Sequence, residues 1–345
     1  MKRNRVAIAL VLILGITSAV LIMYNTNSTI RPELKDFAIR DTSAITKIHL
    51  KDKANKEVTL EKVPGGKWKL NGKYYARQDA VQTLLYTMMA IKVRNPVGKR
   101  AMENVIKQLA SGSTKVDIYE GDKLVKSYYV GGETQDDEGT YMLMVDAETG
   151  QNSSAPFVLS IPGFNGYVSG RYFTSEKDWR DKTVFNYHWS DIKSIQVEYS
   201  EKKEASFTLN VNSENSFEVL DAAGNKLSNL DTAKIRSYIG YYYNIQYEGI
   251  ETIRPSEKDS VMRQGWVHAI TVTGVDGKKT TLRTYHKPPP SEGMTDNEGK
   301  PLNEDMDRMF AVMNDNKDEV LVVQFYVFGK LFMPSSHFVK KSGNK

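Results

Sequence analysis

Apolar and polar positions begin to alternate at Ile48, where His49 separates Ile48 from Leu50, and alternate again through residues 57–63 (EVTLEKV). A period of two predicts strands with one buried face. Pro64-Gly65-Gly66 predicts a turn into a third short strand, Trp68-Lys69-Leu70, which Asn71-Gly72 closes with a hairpin signal. The period then lengthens. Between Arg77 and Val93, Ala80, Leu84, Met88 and Ile91 fall at helical spacing, with Val81, Leu85 and Met89 beside them. Alternation returns in a hairpin pattern, 113–119 and 124–130 about a turn at 120–123, and two apolar runs follow at 141–145 and 155–161.

The same order then recurs. Arg40-Asp41 precedes the first strand, and Arg180-Asp181 precedes the second series. The strand Ile45-x-x-Ile48 is matched by Ile192-x-x-Ile195, and Phe207-Thr208-Leu209 follows it. Phe217-Glu218-Val219-Leu220 takes the place of Trp68-Lys69-Leu70, with a turn at 221–225. Asp231 is a predicted N-cap for a helix through Ile235, Tyr238, Ile239 and Tyr242, where the first series has Val81 and its neighbours. The hairpin pattern reappears at 267–272 and 280–285 about residues 274–277. Runs at 308–313 and 320–326 match 141–145 and 155–161.

These patterns predict an α+β fold. It comprises two tandem, duplicated modules of mostly antiparallel sheet, at 37–178 and 179–335, each with one or two helices packed on one face. A C-terminal tail, 336–345, is expected to follow. Residues 287–303, with Pro288-Pro289-Pro290 and no apolar pattern, read as an exposed excursion from the second module.

Ahead of both modules, residues 6–24 run VAIALVLILGITSAVLIMY without a charge. As a helix this stretch is about 28 Å long, close to the roughly 30 Å hydrocarbon thickness of a bilayer. Lys2, Arg3 and Arg5 precede it, which predicts a cytoplasmic tail at 1–5, a transmembrane helix at 6–24, and a tether at 25–36 on the far side. The competing reading is a signal peptide cleaved near Thr17-Ser18-Ala19. Either reading exports the rest of the chain. The retained anchor is preferred, because cleavage would leave Val20-Leu21-Ile22-Met23 exposed at the new terminus.

Charge and composition narrow the function classes. Three of the five net positive charges belong to the N-terminal tail, so the remainder has no concentrated basic face and nucleic acid is not an expected partner. The chain has no Cys, which excludes thiolate catalysis, Cys-ligated zinc and disulfides. At 345 residues it is long enough to be stabilised by its core alone.

No motif points to catalysis. There is no G-x-S-x-G, phosphate loop, G-x-G-x-x-G or H-E-x-x-H. His49, His188, His268, His286 and His337 are too dispersed for a local zinc pair, and strand-face or core roles are expected of them. Asp136-Asp137-Glu138 reads as a solvated acidic turn in preference to a Ca²⁺ site. Asp305-Met306-Asp307 has the D-x-D spacing of sugar transferases, but no nucleotide-binding unit precedes it. Tyr238, Tyr241, Tyr242, Tyr243 and Tyr247 form the most aromatic patch. Packing on the sheet is the first expectation for it, and a glycan- or protein-binding surface the second. The apolar run at 320–333 is too short and interrupted to span a bilayer, and reads as a buried strand entering a turn. No catalytic, cofactor-binding or metal residues are assigned.

The Arg-Asp lead-in, the Ile-x-x-Ile strand, Trp68-x-Leu70 and the helix after it resemble a bacterial family, the domain of unknown function numbered 4340. The resemblance implies a membrane-anchored envelope protein, inner-membrane and single-pass, with a periplasmic ectodomain. It supplies no catalytic residues. The expectation is a non-enzymatic binding or scaffolding ectodomain whose partners are envelope or transporter proteins. An accessory subunit of a gliding-type ABC transport system, with Gly15, Thr17, Ser18 and Ala19 permitting close helix contact, is the alternative. An envelope hydrolase is the second alternative.

Overall fold

The computed structural model describes residues 13–18 and 35–340, apart from Ile253, Glu292 and Asn297. The chain divides into two compact units, Met1–Asp181 and Lys182–Lys345. Both are antiparallel sheets with packed helices, the α+β class.

In the first unit, nine strands form one sheet. They are β1 Lys47–Asp52, β2 Glu57–Lys62, β3 Trp68–Leu70, β4 Tyr74–Tyr75, β5 Lys92–Pro96, β6 Thr114–Glu120, β7 Lys123–Glu133, β8 Thr140–Val145 and β9 Phe157–Ser160. Their order is β4-β3-β2-β1-β6-β7-β8-β9-β5. The period-two positions Ile48, Leu50, Val58, Leu60 and Leu70 are fully buried on one face, each such side chain contributing about 1.5–3 kcal/mol. Helix α1 (Gln78–Ala90) covers that face with Val81, Leu84 and Met88. Asn71 and Gly72, both at positive φ, make the β3–β4 turn.

The opposite face is covered as well, which corrects the expectation of helices on one face only. Helix α2 (Lys99–Gly112) buries Val105 and Leu109 against Val158, with Tyr129, Tyr141 and Leu143 beside them. Register puts these strand residues on one side of the sheet, and they are largely apolar, so that face must also be removed from water. Gly131 lets α2 approach closely, since a Cβ there would lie 2.7 Å from Leu109 Cδ2 and 3.1 Å from the Tyr141 carbonyl. The short helix α3 (Glu176–Trp179) follows. Trp179, expected in the second module, is buried in the first core and stacks on Phe173 at 4.2 Å.

In the second unit the strands are β10 Thr183–Phe185, β11 Ile192–Tyr199, β12 Phe207–Ser213, β13 Ser216–Asp221, β14 Ile245–Gln246, β15 Gly249–Ile250, β16 His268–Gly274, β17 Lys279–Tyr285, β18 Arg308–Met313 and β19 Leu321–Gln324. Eight form a sheet of order β13-β12-β11-β16-β17-β18-β19-β15, while β10 and β14 pair separately. Helix α4 (Thr232–Gly240), capped by Asp231, buries Ile235, Tyr238 and Ile239 on the face that holds Ile195, Val197 and Leu209. Helix α5 (Pro255–Arg263) packs Val261 on the other face with Tyr285, Phe310 and Val312. Helix α6 (Phe325–Phe328) follows β19 and buries Phe328. Phe338, assigned to a tail by the sequence pattern, is fully buried in this core and meets Phe207 at 4.9 Å.

Strand order is thus the same in the two units from β3 to β5 and from β13 to β15. Register agrees too. Ile48 lies between Leu60 and Ile118, and Ile195 between Leu209 and Val272. The Arg-Asp repeat does not share this equivalence. Asp41 caps a 3-10 turn, Thr42–Ala44, immediately before β1. The corresponding turn before β11 is Trp189–Asp191, preceded by His188. Asp181 instead donates its N–H to the Tyr75 carbonyl at 2.9 Å.

The expected transmembrane segment, 6–24, lies outside the described residues except for 13–18, which are helical. No helix among the described residues is long and apolar enough to cross a membrane. Most of the expected tether, 25–36, also lies outside them.

Candidate functional site

The second unit carries an aromatic cavity of about 280 Å³ beside α4, lined by Tyr187, His188, Trp189, Glu214, Phe217, Arg236, Ile239, Gly240 and Tyr243. Its walls are two loops held side by side by local pairing. Phe185 pairs with Ile245 in the β10–β14 ribbon, and the Tyr187 N–H donates to the Tyr242 carbonyl at 3.1 Å. This pairing places Tyr187-His188-Trp189 next to Tyr243. The 3-10 turn is fixed by Asp191, whose carboxylate accepts the His188 N–H at 3.2 Å. The Tyr187 hydroxyl shares a 2.8 Å hydrogen bond with Thr280 Oγ1, which holds the ring as a wall.

The aromatic patch divides between two roles. Tyr238 and Tyr242 are fully buried, and Tyr247 nearly so. Tyr238 Oη lies 2.7 Å from Tyr242 Oη and donates to the Leu331 carbonyl at 2.8 Å. Burial pushes both phenols well above the usual range. They are packing groups. Tyr243, by contrast, is 54% exposed, and Trp189 is 49% exposed. The Tyr243 ring lies 4.9 Å from that of His188, tilted. Phe217 and Ile239 supply an apolar floor. Arg236 bonds Asn215 Oδ1 at the rim, and Glu214 makes no ion pair among the described residues.

Trp189, Tyr187 and Glu214 were not singled out by sequence. Tyr187 and Trp189 flank His188 but carry no motif, and Glu214 is distant from them in the chain. The one available signal was the density of aromatics around 238–247.

The other candidates are held by structural partners. His49 lies 3.3 Å from Glu57 and 3.8 Å from Asp117. Asp117 accepts from Ser127 Oγ at 2.6 Å, so the carboxylate, not the imidazole, stands next to the hydroxyl. That order cannot activate a serine nucleophile, which needs the base beside it. His268 lies on the core face, stacks on Phe332 at 3.9 Å and meets Thr284 Oγ1 at 3.0 Å. Burial, with a smaller effect of His286, pushes its pKa down to about 4, so the ring is neutral at pH 7. His286 contacts Glu304, and His337 packs edge-on against Phe338.

Arg94 reaches both Asp136, at 3.3 Å, and Glu138, at 3.5 Å, so a cation from elsewhere in the chain pairs with two carboxylates of the acidic turn. Asp305 is buried and accepts from Lys287 at 3.1 Å and from the Asp307 and Arg308 amides, each at 3.0 Å. Burial raises its pKa, but these donors together outweigh that and hold it below the usual range. The contact clamps the base of the 287–303 excursion. A second cavity of about 360 Å³ borders this clamp, with Glu248 and Arg308 paired at 2.8 Å. Asp305 and Glu248 are paired with Lys287 and Arg308, and Glu251 also lines the cavity. No group of three or more His, Asp or Glu able to hold a metal occurs among the described residues.

A sequence profile of the family described as a domain of unknown function (DUF4340) matches residues 68–260, more than half of the chain, and the protein belongs to that family. The match begins at Trp68, within the Trp-x-Leu element that carried the resemblance, and runs through the aromatic cavity into α5. No curated protein and no solved structure matches the chain.

Proposed function

We propose that this protein is a membrane-tethered, non-enzymatic binding ectodomain, built by duplication of one α+β module, whose second copy bears the ligand site. The observation that carries the reading is the aromatic cavity with its two half-exposed rings, Trp189 and Tyr243. Half-exposed, rigid aromatics around a concavity are what recognition sites use, because they bury much area for little lost freedom. The shared strand order and register support duplication. The uncharged stretch at 6–24 after a basic tail supports an inner-membrane anchor with both units on the periplasmic side.

The test is a crosslinked pull-down of the full chain from its native membrane, beside Trp189→Ala and a span-deleted form. Envelope partners captured by both wild-type forms and lost with Trp189→Ala are expected. Transport components recovered only when the span is present, and unaffected by Trp189→Ala, would move the function to the accessory-subunit alternative. Turnover of a cell-wall substrate would overturn the non-enzymatic reading.

A further inference from the structure

We infer that the aromatic cavity of the second unit is a carbohydrate site that takes a single neutral pyranose ring. The inference rests on the binding role proposed above and adds the ligand's class. Four observations on the cavity converge on it.

The first is size. At about 280 Å³ the cavity sits at the small end of ligand pockets, which run from roughly 300 Å³ upward, so it admits one ring. The second is shape. Trp189 and Tyr243 each leave about half their surface to solvent beside the cavity, and a pyranose presents a flat patch of C–H groups that covers such a face. The third is charge. One carboxylate, Glu214, and one guanidinium, Arg236, both line the cavity. A quaternary ammonium would suit the aromatic rings but meets Arg236, and an anionic ligand would suit Arg236 but meets Glu214. A neutral polyhydroxyl ring uses both, donating to the carboxylate and accepting from the guanidinium. The fourth is the contrast with the first unit. The residue opening the 3-10 turn before the first strand of each large sheet is Trp189 in one and Thr42 in the other. The first unit therefore has no flat aromatic face at the position that Trp189 takes in the second.

The chain has four Trp, which makes the test direct. The full chain, labelled with 5-fluorotryptophan and held in a detergent without a sugar headgroup, should give one fluorine resonance for each. Loss of one resonance in Trp189→Phe assigns that position. Titration with glucose and with N-acetylglucosamine is expected to move the Trp189 resonance saturably and leave those of Trp68 and Trp179, both in the first core, unmoved. Tyr243→Ala should weaken the effect by roughly tenfold, the loss of one stacked ring. Unchanged Trp68, Trp179 and Trp266 resonances in that variant show that it folds. Movement with choline but not with either sugar overturns the assignment in favour of a cation cage, and movement with glucuronate alone overturns it in favour of an anion site. No movement with any probe also overturns it. If capture of envelope partners still depends on Trp189, only the ligand class has failed; if that dependence is absent too, the binding role has failed with it.

Discussion

The two units share strand order and register, yet at equivalent positions they carry different chemistry. On the face of the first sheet opposite α1, Thr59, His49, Asp117 and Ser127 lie side by side across β2, β1, β6 and β7. The same row in the second sheet is Thr208, Gln196, Thr271 and Thr281. Thr271 and Thr281 share a 3.3 Å hydroxyl contact where the first unit has a carboxylate accepting from Ser127 and from Lys115 at 3.0 Å. Beside the helix the contrast runs the other way: Thr42 in the first unit answers to Trp189 in the second. One architecture therefore tolerates an ionic row in one unit and an aromatic cavity in the other. Asp117 and Ser127 are buried and satisfied by their own hydrogen bond, whereas Trp189 and Tyr243 are half-exposed, where packing does not dictate identity.

The buried faces should behave alike, and that is the largest effect to test. Leu60 and Leu209 occupy equivalent register positions and are both fully buried. Leu60→Ala and Leu209→Ala should each cost about 2–5 kcal/mol. Hydrogen exchange should locate each loss in the sheet that carries the substitution. A loss spread equally over both sheets would break the picture of two cores.

The next effect separates the units by pH. His268 is flanked by Tyr199 and Thr284, while the equivalent strand position in the first unit is Thr114. Its pKa falls from 6.5 to about 4 on folding, so the unfolded chain binds the proton more readily. Its contribution is fully present above about pH 6.5 and is lost as pH falls toward 4. The second unit should lose on the order of 2 kcal/mol over that window. Urea midpoints measured against pH should show this slope in wild type and its reduction in His268→Phe, which keeps the stack on Phe332.

A smaller effect concerns the buried phenol pair. Tyr238→Phe removes a hydroxyl that meets both Tyr242 and the Leu331 carbonyl, and should cost about 1–2 kcal/mol by leaving them unsatisfied. The equivalent position of α1 is Leu84, fully buried and without a polar atom. The smallest effect is at the acidic turn. Arg94→Ala breaks two half-exposed ion pairs and should change stability by less than about 1 kcal/mol. Chemical denaturation measures both, and a large loss at Arg94 would show that the turn is a structural clamp.

Sequence pattern alone determined the repeating order of elements, the strands β1 to β3 and β11 to β13, the helices α1 and α4, and family membership. Those features rest on local period, caps and turn residues, which neighbouring residues encode. It also determined that packing is the main role of the tyrosine patch, since Tyr238 and Tyr242 keep helical spacing with Ile235. Helix α2 went unassigned although Ala101, Val105 and Leu109 recur at helical spacing, and α5 although Pro255 opens it, because short amphipathic helices of largely polar composition stand out little from loops. The tertiary structure alone decided the rest. Only folding places Arg94 against Asp136 and Glu138, seats Asp305 on Lys287, sends Trp179 into the first core and Phe338 into the second, and gathers Trp189, Glu214, Arg236 and Tyr243 around one cavity. Those residues are far apart in the chain, and their proximity follows from which strands and loops the sheet order brings together, a long-range property that no local period records.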